Sequence, residues 1–260
     1  MQQPLIETLG DELYDALRAG KVLEPLSSRH PDITIEDAYA VQQRMIARRL
    51  GAGETVVGKK IGVTSKAVMD MLGVYQPDFG WLLSGMVFDD GSTIERSRLI
   101  QPKAEGEIAF VLKHALRGPG VSAAQVLAAT EYVMPCFEIV DSRIRDWKIR
   151  IQDTVADNAS CGVFVLGDRA VSPREVDLTS CGMVLEKNGE VFATGAGAAA
   201  LGSPLNAVAW LANTLGRLGI GLEAGEVILS GALAAMAPIA AGDHFRVSIG
   251  GIGSCAVRFA

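Results

Sequence analysis

The chain has 260 residues, 49% of them apolar and 21% charged, with a formal net charge of −6. That composition describes a folded protein with enough apolar surface for a sizeable core and excludes the disordered class. The acidic balance argues against nucleic acid as a partner, because even the charge-dense stretch 141–157 holds four basic and four acidic side chains and attracts no phosphate.

The first fifty residues predict two helices. Ile6, Leu9, Leu13 and Leu17 recur at helical spacing, with Gly20 as a stop. A second helix follows Thr34 as its cap, with Ala38, Val41, Met45 and Ile46 as the apolar stripe and Gly51 at its end. The N-terminus lacks a basic segment followed by an apolar run, and no stretch reaches membrane-spanning length. A cytoplasmic protein without a membrane partner is expected.

From residue 56 the texture changes to short apolar runs punctuated by glycine, proline and aspartate. Strands are predicted at 56–63, 81–88, 105–112 and 132–140, with helices at 65–72, closed by Gly73, and from Ser122 to Thr130. Asn188-Gly189 supplies the positive φ angles of a type I′ hairpin turn. Ser203-Pro204 starts a helix striped by Leu205, Val208, Ala209, Ala212 and Leu215, with Gly219 beyond its end. Strands at 227–229, 245–249 and 256–259 complete an α+β pattern of mixed or antiparallel sheet, without Rossmann or TIM-barrel alternation. The expected division is a helical N-terminal part, 1–55, and a β-rich core, 56–260. The Gly-rich piece 194–198 fails the dinucleotide fingerprint, since Ala200 stands at the third glycine position. It is expected to be a tight turn with close backbone approach and room for a small carboxylate.

Carboxylates in apolar strands are the first chemical signal. Alternation puts Glu105 and Glu107 on one face of their strand and Ile108, Phe110 and Leu112 on the other. A lone Glu-x-Glu is more often a solvated strand face. Glu138 lies in a second apolar segment beside core-like Cys136 and Val140, which favours a hard divalent cation as the compensating charge. Of Lys59 and Lys60, between Gly58 and Gly62, one is expected to face inward and the other solvent. Asp78 in Gln-Pro-Asp-Phe-Gly can be a turn residue or an acid–base group, and residue chemistry alone favours the turn. Cys136, Cys161, Cys181 and Cys255 have no zinc spacing and are expected as reduced, mostly buried thiols. No histidine stands near Cys161 in sequence to make it a nucleophile.

Together these segments resemble the 2-oxopent-4-enoate (2-hydroxypenta-2,4-dienoate) hydratases of aromatic meta-cleavage pathways, within the fumarylacetoacetate hydrolase-like superfamily. The marks are GKKIGVTSKAV (58–68), QPDFGWL (76–82), QPKAEGEIAFVL (101–112), PCFEIVDSRI (135–144), DWKIRIQDTVADNAS (146–160), NGEVFATGAGAAALGSP (188–204), AGEVILSG (224–231) and GGIGS (250–254), in order over nearly the whole chain. The resemblance implies a mixed β-sheet/β-barrel core and a site with Mg²⁺ or Mn²⁺ on Glu105, Glu107 and Glu138. It also implies Lys60 on the active-site strand, Asp78 as the proton-transfer residue and Ser160 as a substrate contact. Residues 231–236 depart from the family's polar or proline-bearing loop, so no substrate contact is assigned there.

The implied chemistry is protonation of the dienol at C5 and addition of water at C4, giving 4-hydroxy-2-oxopentanoate. A small 2-oxo or 2-hydroxy-dienoic acid is then the ligand, and a homo-oligomer and a complex with 4-oxalocrotonate decarboxylase are implied partners. Two alternatives share the scaffold: a 4-oxalocrotonate decarboxylase, and a non-catalytic partner in a hydratase–decarboxylase complex. Retention of all three glutamates, Lys60 and Asp78 speaks against the last.

Overall fold

The computed structural model describes residues 1–72 and 74–260. The chain opens with α1 (Gln3–Ala19), α2 (Leu26–Arg29) and α3 (Ile35–Gly51). There follow β1 (Val56–Gly62), α4 (Lys66–Leu72), β2 (Asp78–Leu83), β3 (Val87–Asp89), β4 (Thr93–Ile94) and β5 (Pro102–Leu112). Next come α5 (Ala123–Ala129), β6 (Thr130–Asp141), α6 (Ile151–Ala156), β7 (Cys161–Leu166), β8 (Gly182–Lys187) and β9 (Glu190–Ala196). The chain closes with α7 (Pro204–Arg217), β10 (Val227–Leu229), β11 (Ala237–Pro238), β12 (His244–Ile249) and β13 (Gly253–Phe259).

Local chemistry sets many of these boundaries. Gly20 adopts φ 63° and closes α1, donating its N–H to the carbonyls of the last turn. Thr34 and Asp37 form a reciprocal capping box on α3, with both bonds at 3.1 Å. Asn188 and Gly189 take φ 55° and 86° between β8 and β9, as the hairpin signal requires. The expected helix stop at Gly73 lies outside the described residues.

Among the described residues the strands form two mixed sheets. The larger runs β2-β1-β10-β5-β6-β7-β3, with β11 also on β5, and the smaller runs β4-β13-β12-β8-β9. The strand expected at 81–88 is therefore two strands. A turn at Ser84–Met86 breaks it, so that β2 lies at one edge of the larger sheet and β3 at the other. The helices α2 and α6 have only four and six residues, too few to display a period.

One face of the larger sheet packs on the smaller through Phe110, Phe137, Ile139, Phe245 and Phe259. Phe245 stands edge-on to Phe137 and Phe259, with ring centroids 6.4 and 5.9 Å apart. The N-terminal helices have a second apolar cluster of Leu9, Leu13, Val41 and Met45, into which Ile144 and Val155 reach from the later chain. Helix α3 is thereby pressed against the segment that carries Ser160. Among the described residues no helix is long and apolar enough to cross a membrane.

Candidate active site and metal centre

Strands β5 and β6 pair so that Glu105 faces Glu138 and Glu107 faces Cys136. The pleat sends Phe110 and Phe137 into the core between the sheets and the three glutamates to the opposite side. One carboxylate oxygen from each glutamate lies within 4.8 Å of the others, and all three residues are buried. Glu107 Oε2 accepts the Gly231 N–H at 2.7 Å. Among the described residues, Glu107 Oε1 and both Glu138 oxygens have no hydrogen-bond partner.

Lys60 Nζ sits 3.0 Å from Glu138 Oε1, an ion pair by distance whose angles do not make a hydrogen bond. Burial opposes the charge on Lys60. The surrounding carboxylates, Glu138 first and then Asp78, outweigh it and hold the ammonium above its ordinary pKa. Burial and then the Glu138 charge push Glu105 up to about 7, and burial with both neighbouring carboxylates pushes Glu107 well above the usual range. A set of hard oxygen donors with orphaned lone pairs and one ammonium among three carboxylates fits a divalent cation.

Asp78 opens β2 directly opposite Gly62 of β1. It is a buried strand residue, which overturns the turn reading favoured by residue chemistry alone. A Cβ on Gly62 would collide with Asp78 Oδ1 and come within 3.2 Å of Lys60 Nζ, so this glycine lets acid and ammonium share one spot. Neither Asp78 oxygen has a hydrogen-bond partner among the described residues. Burial raises its pKa, with Lys60 opposing and Glu138 reinforcing.

Ser160 ends a turn in which Asn158, Ala159 and Ser160 all take left-handed φ of 56°, 50° and 52°. Such conformations persist only where surrounding bonds over-determine them. Here Asn158 clamps the turn to β2, accepting the Trp81 N–H at 2.8 Å and donating to its carbonyl at 3.0 Å. Ser160 Oγ lies 3.1 Å from Thr154 Oγ1. A cavity of about 290 Å³ is lined by Lys60, Gly62, Asp78, Glu105, Thr154 and Ser160 among others, with Lys103 held 4.2 Å above the Trp147 ring and Met236 also on its wall.

The structure thus brings Lys60, Asp78, Glu105, Glu107, Glu138 and Ser160 to one place. Lys59 is a correction. It is buried, ion-paired to Glu226 and stacked 5.1 Å from the Trp81 ring, because β1 is an interior strand covered on both faces. The Gly-rich piece is used for close packing, since Cβ atoms on Gly195 and Gly197 would strike the Leu233 and Leu178 carbonyls, and its glycines do not line this cavity. The bland loop 231–236 contributes a backbone N–H to Glu107 and Met236 to the wall. Thr154, Lys103, Trp147 and the Gly231 N–H carry no local sequence signal and emerge only from tertiary placement. All four cysteines are free and buried.

A family model described as fumarylacetoacetate (FAA) hydrolase C-terminal matches residues 60–260. A 2-hydroxypent-2,4-dienoate hydratase of Pseudomonas putida is 67% identical over 221 residues, covering 85% of this chain and all of the relative. The chain belongs to the 2-keto-4-pentenoate hydratases of the fumarylacetoacetate hydrolase superfamily. A 2-hydroxyhexa-2,4-dienoate hydratase of Comamonas testosteroni is 57% identical over 98% of this chain and 97% of its own length. Among solved structures, 4-oxalocrotonate decarboxylase from Pseudomonas putida G7, complexed with magnesium and adipate, superposes with a TM-score of 0.97. It is 40% identical and covers 100% of this chain and 99% of its own. The α+β fold expected from the sequence is the fold of this superfamily.

Proposed function

We propose that this chain hydrates 2-hydroxypenta-2,4-dienoate to 4-hydroxy-2-oxopentanoate in aromatic meta-cleavage catabolism, using Mg²⁺ or Mn²⁺ on Glu105, Glu107 and Glu138. The carrying observation is the buried carboxylate floor with orphaned oxygens, beside an acid and an ammonium that meet at Gly62. The hydratases at 57–67% identity support the substrate class. A cation held by Glu105, Glu107 and Glu138 would supply Lewis acidity, favouring the negative charge that builds up on a 2-oxo acid.

The side chains divide the remaining work. Lys60 adds a fixed positive charge beside the oxygen on which electrons accumulate. Asp78, kept protonated more readily than a free carboxyl, gives a proton to C5 while the C2 hydroxyl releases its own to solvent. The product of that step is a 2-oxo-3-enoate, whose C4 is electrophilic by conjugation. Asp78, now ionised, takes a proton from water as its oxygen bonds to C4, and solvent returns a proton to C3. Ser160 and Thr154 offer hydroxyls to hold substrate or the attacking water. The family match from residue 60 onward supports a catalytic core at 56–260 carried beside a helical part at 1–55. Exposed Val191 and Phe192 on the edge strand β9 support a homo-oligomer.

The test is one assay of purified protein with 2-hydroxypenta-2,4-dienoate and with 2-oxohex-3-enedioate, each with and without Mg²⁺ or Mn²⁺. Cation-dependent hydration of the first and little CO₂ from the second is expected. Rapid CO₂ release without hydration would assign the site to decarboxylation.

A further inference from the structure

Helix α3 reaches the elements around the site through Gln42 and Tyr39. Gln42 is fully buried, and its Nε2 donates to the Phe79 carbonyl at 2.9 Å and to the Val155 carbonyl at 2.8 Å. Phe79 directly follows Asp78 on β2. Val155 directly follows Thr154, whose hydroxyl meets Ser160. One turn earlier on the same helix face, the Tyr39 ring stacks on Phe79 at 4.4 Å between centroids and 14° between planes. Both hydrogens of the amide are thus spent on carbonyls from two elements that converge on the cavity.

We infer that Gln42 is a positioning residue for the hydration site: its amide, with the Tyr39 ring, fixes the Asp78 strand relative to the Thr154–Ser160 wall. Two features of the site make this tie consequential. The Asp78 carboxylate makes no side-chain hydrogen bond among the described residues and lies against the backbone amides of Gly62 and Asp78 itself, so its direction is inherited from the backbone of β1 and β2. The Ser160 turn holds three left-handed residues and keeps its shape only under external bonds. An apolar residue would fill the volume at 42, but the glutamine leaves its own Oε1 buried without a partner. That cost is offset where the two carbonyls must be held together. Residues 39 and 42 lie outside the segment matched by the family model, which begins at residue 60.

The inference rests on the hydratase reading, and the experiment separates the two. Gln42→Met keeps size and removes both donors. It is compared with Asn213→Leu, which breaks a bridge of similar kind whose residues do not line the cavity, where Asn213 accepts the Gly120 and Val121 N–H groups at 2.7 Å. Steady-state kinetics on the dienol, Mn²⁺ affinity and thermal stability are measured for the wild type and both variants. For Gln42→Met, kcat should fall roughly 10- to 100-fold, the scale of a displacement of about 1 Å. KM and Mn²⁺ affinity should change little, and Asn213→Leu should lose stability without that loss of kcat. If Gln42→Met does not fold, Gln42→Asn, whose amide is too short to span both carbonyls, carries the same comparison. Equal kcat in the Gln42 and Asn213 variants, or a parallel loss of Mn²⁺ affinity, overturns the inference. A wild-type protein that does not hydrate the dienol overturns the hydratase reading instead.

Discussion

Two buried charge clusters lie within the same sheet system and are built in opposite ways. Arg143 and Asp157 are ion-paired, and Arg143 also donates to the carbonyls of Asp141, Cys161 and Asp157. Asp157 Oδ2 further accepts the Arg143 N–H at 2.9 Å and the Ser142 hydroxyl at 3.3 Å. Burial lifts the Asp157 carboxyl to about 6, and the Arg143 charge and hydrogen bonds pull against it. The glutamate floor is equally buried but, among the described residues, leaves three oxygens without a hydrogen bond and sets one ammonium among three carboxylates. A satisfied network holds structure, here the strained turn ending at Ser160, whereas an unsatisfied one is a place prepared for something else.

The comparison would break first at Glu107. Glu107→Gln should abolish turnover and cation binding while leaving the metal-free protein folded. That protein should be more stable than the metal-free wild type at pH 8, since burial and the neighbouring carboxylates raise the Glu107 pKa and its ionisation opposes folding. Isothermal titration with Mn²⁺ and denaturant unfolding check the two halves, and full activity without cation binding would remove the metal from the site.

Asp78→Asn should lower kcat roughly 10²- to 10⁴-fold with KM little changed, because only the proton carrier is lost. Lys60→Met should raise KM as well, since its charge meets both the substrate and the transition state. Proton exchange at the substrate carbons, followed by NMR in D₂O, reads the Asp78 role separately. Wild-type exchange in Asp78→Asn would return that residue to a structural role.

On the satisfied side, Arg143→Met strands a buried carboxylate and should cost about 3–5 kcal/mol of stability, with or without cation. A loss below about 1 kcal/mol would show that the network is not what holds the turn, and with it the contrast between the clusters would fade.

The contrast also predicts a pH dependence whose sign the cation should reverse. The folded pKa of Glu105, about 7, lies above its ordinary 4.5. Its contribution to stability is therefore present below pH 4.5 and lost as pH rises through 7, on the order of 3 kcal/mol, and Glu107 acts in the same direction. Metal-free protein should thus melt at lower temperature at pH 8 than at pH 5. With Mg²⁺ or Mn²⁺ the trend should invert, because ionised carboxylates bind the cation. Scanning calorimetry at several pH values distinguishes the two slopes.

By itself the sequence determined what is decided within a few residues of chain. The Thr34 cap, the Asn188-Gly189 turn and the shared face of Glu105 and Glu107 follow from short-range sterics and a period of two or 3.6 residues. The ordered family motifs added Lys60, Asp78 and Ser160, which the fold brings to one cavity. Only tertiary structure decided the rest. Glu138 meets Glu105 because of a strand register between segments 33 residues apart, and Lys59 is buried because β10 and β2 flank β1 and Glu226 is at hand. Asp78 is a strand residue rather than a turn because Gly62 lies opposite it, and Gly231 reaches Glu107 across 124 residues. Periodicity and capping are properties of neighbouring residues, but burial, register and the company a charge keeps depend on which distant segment packs against it.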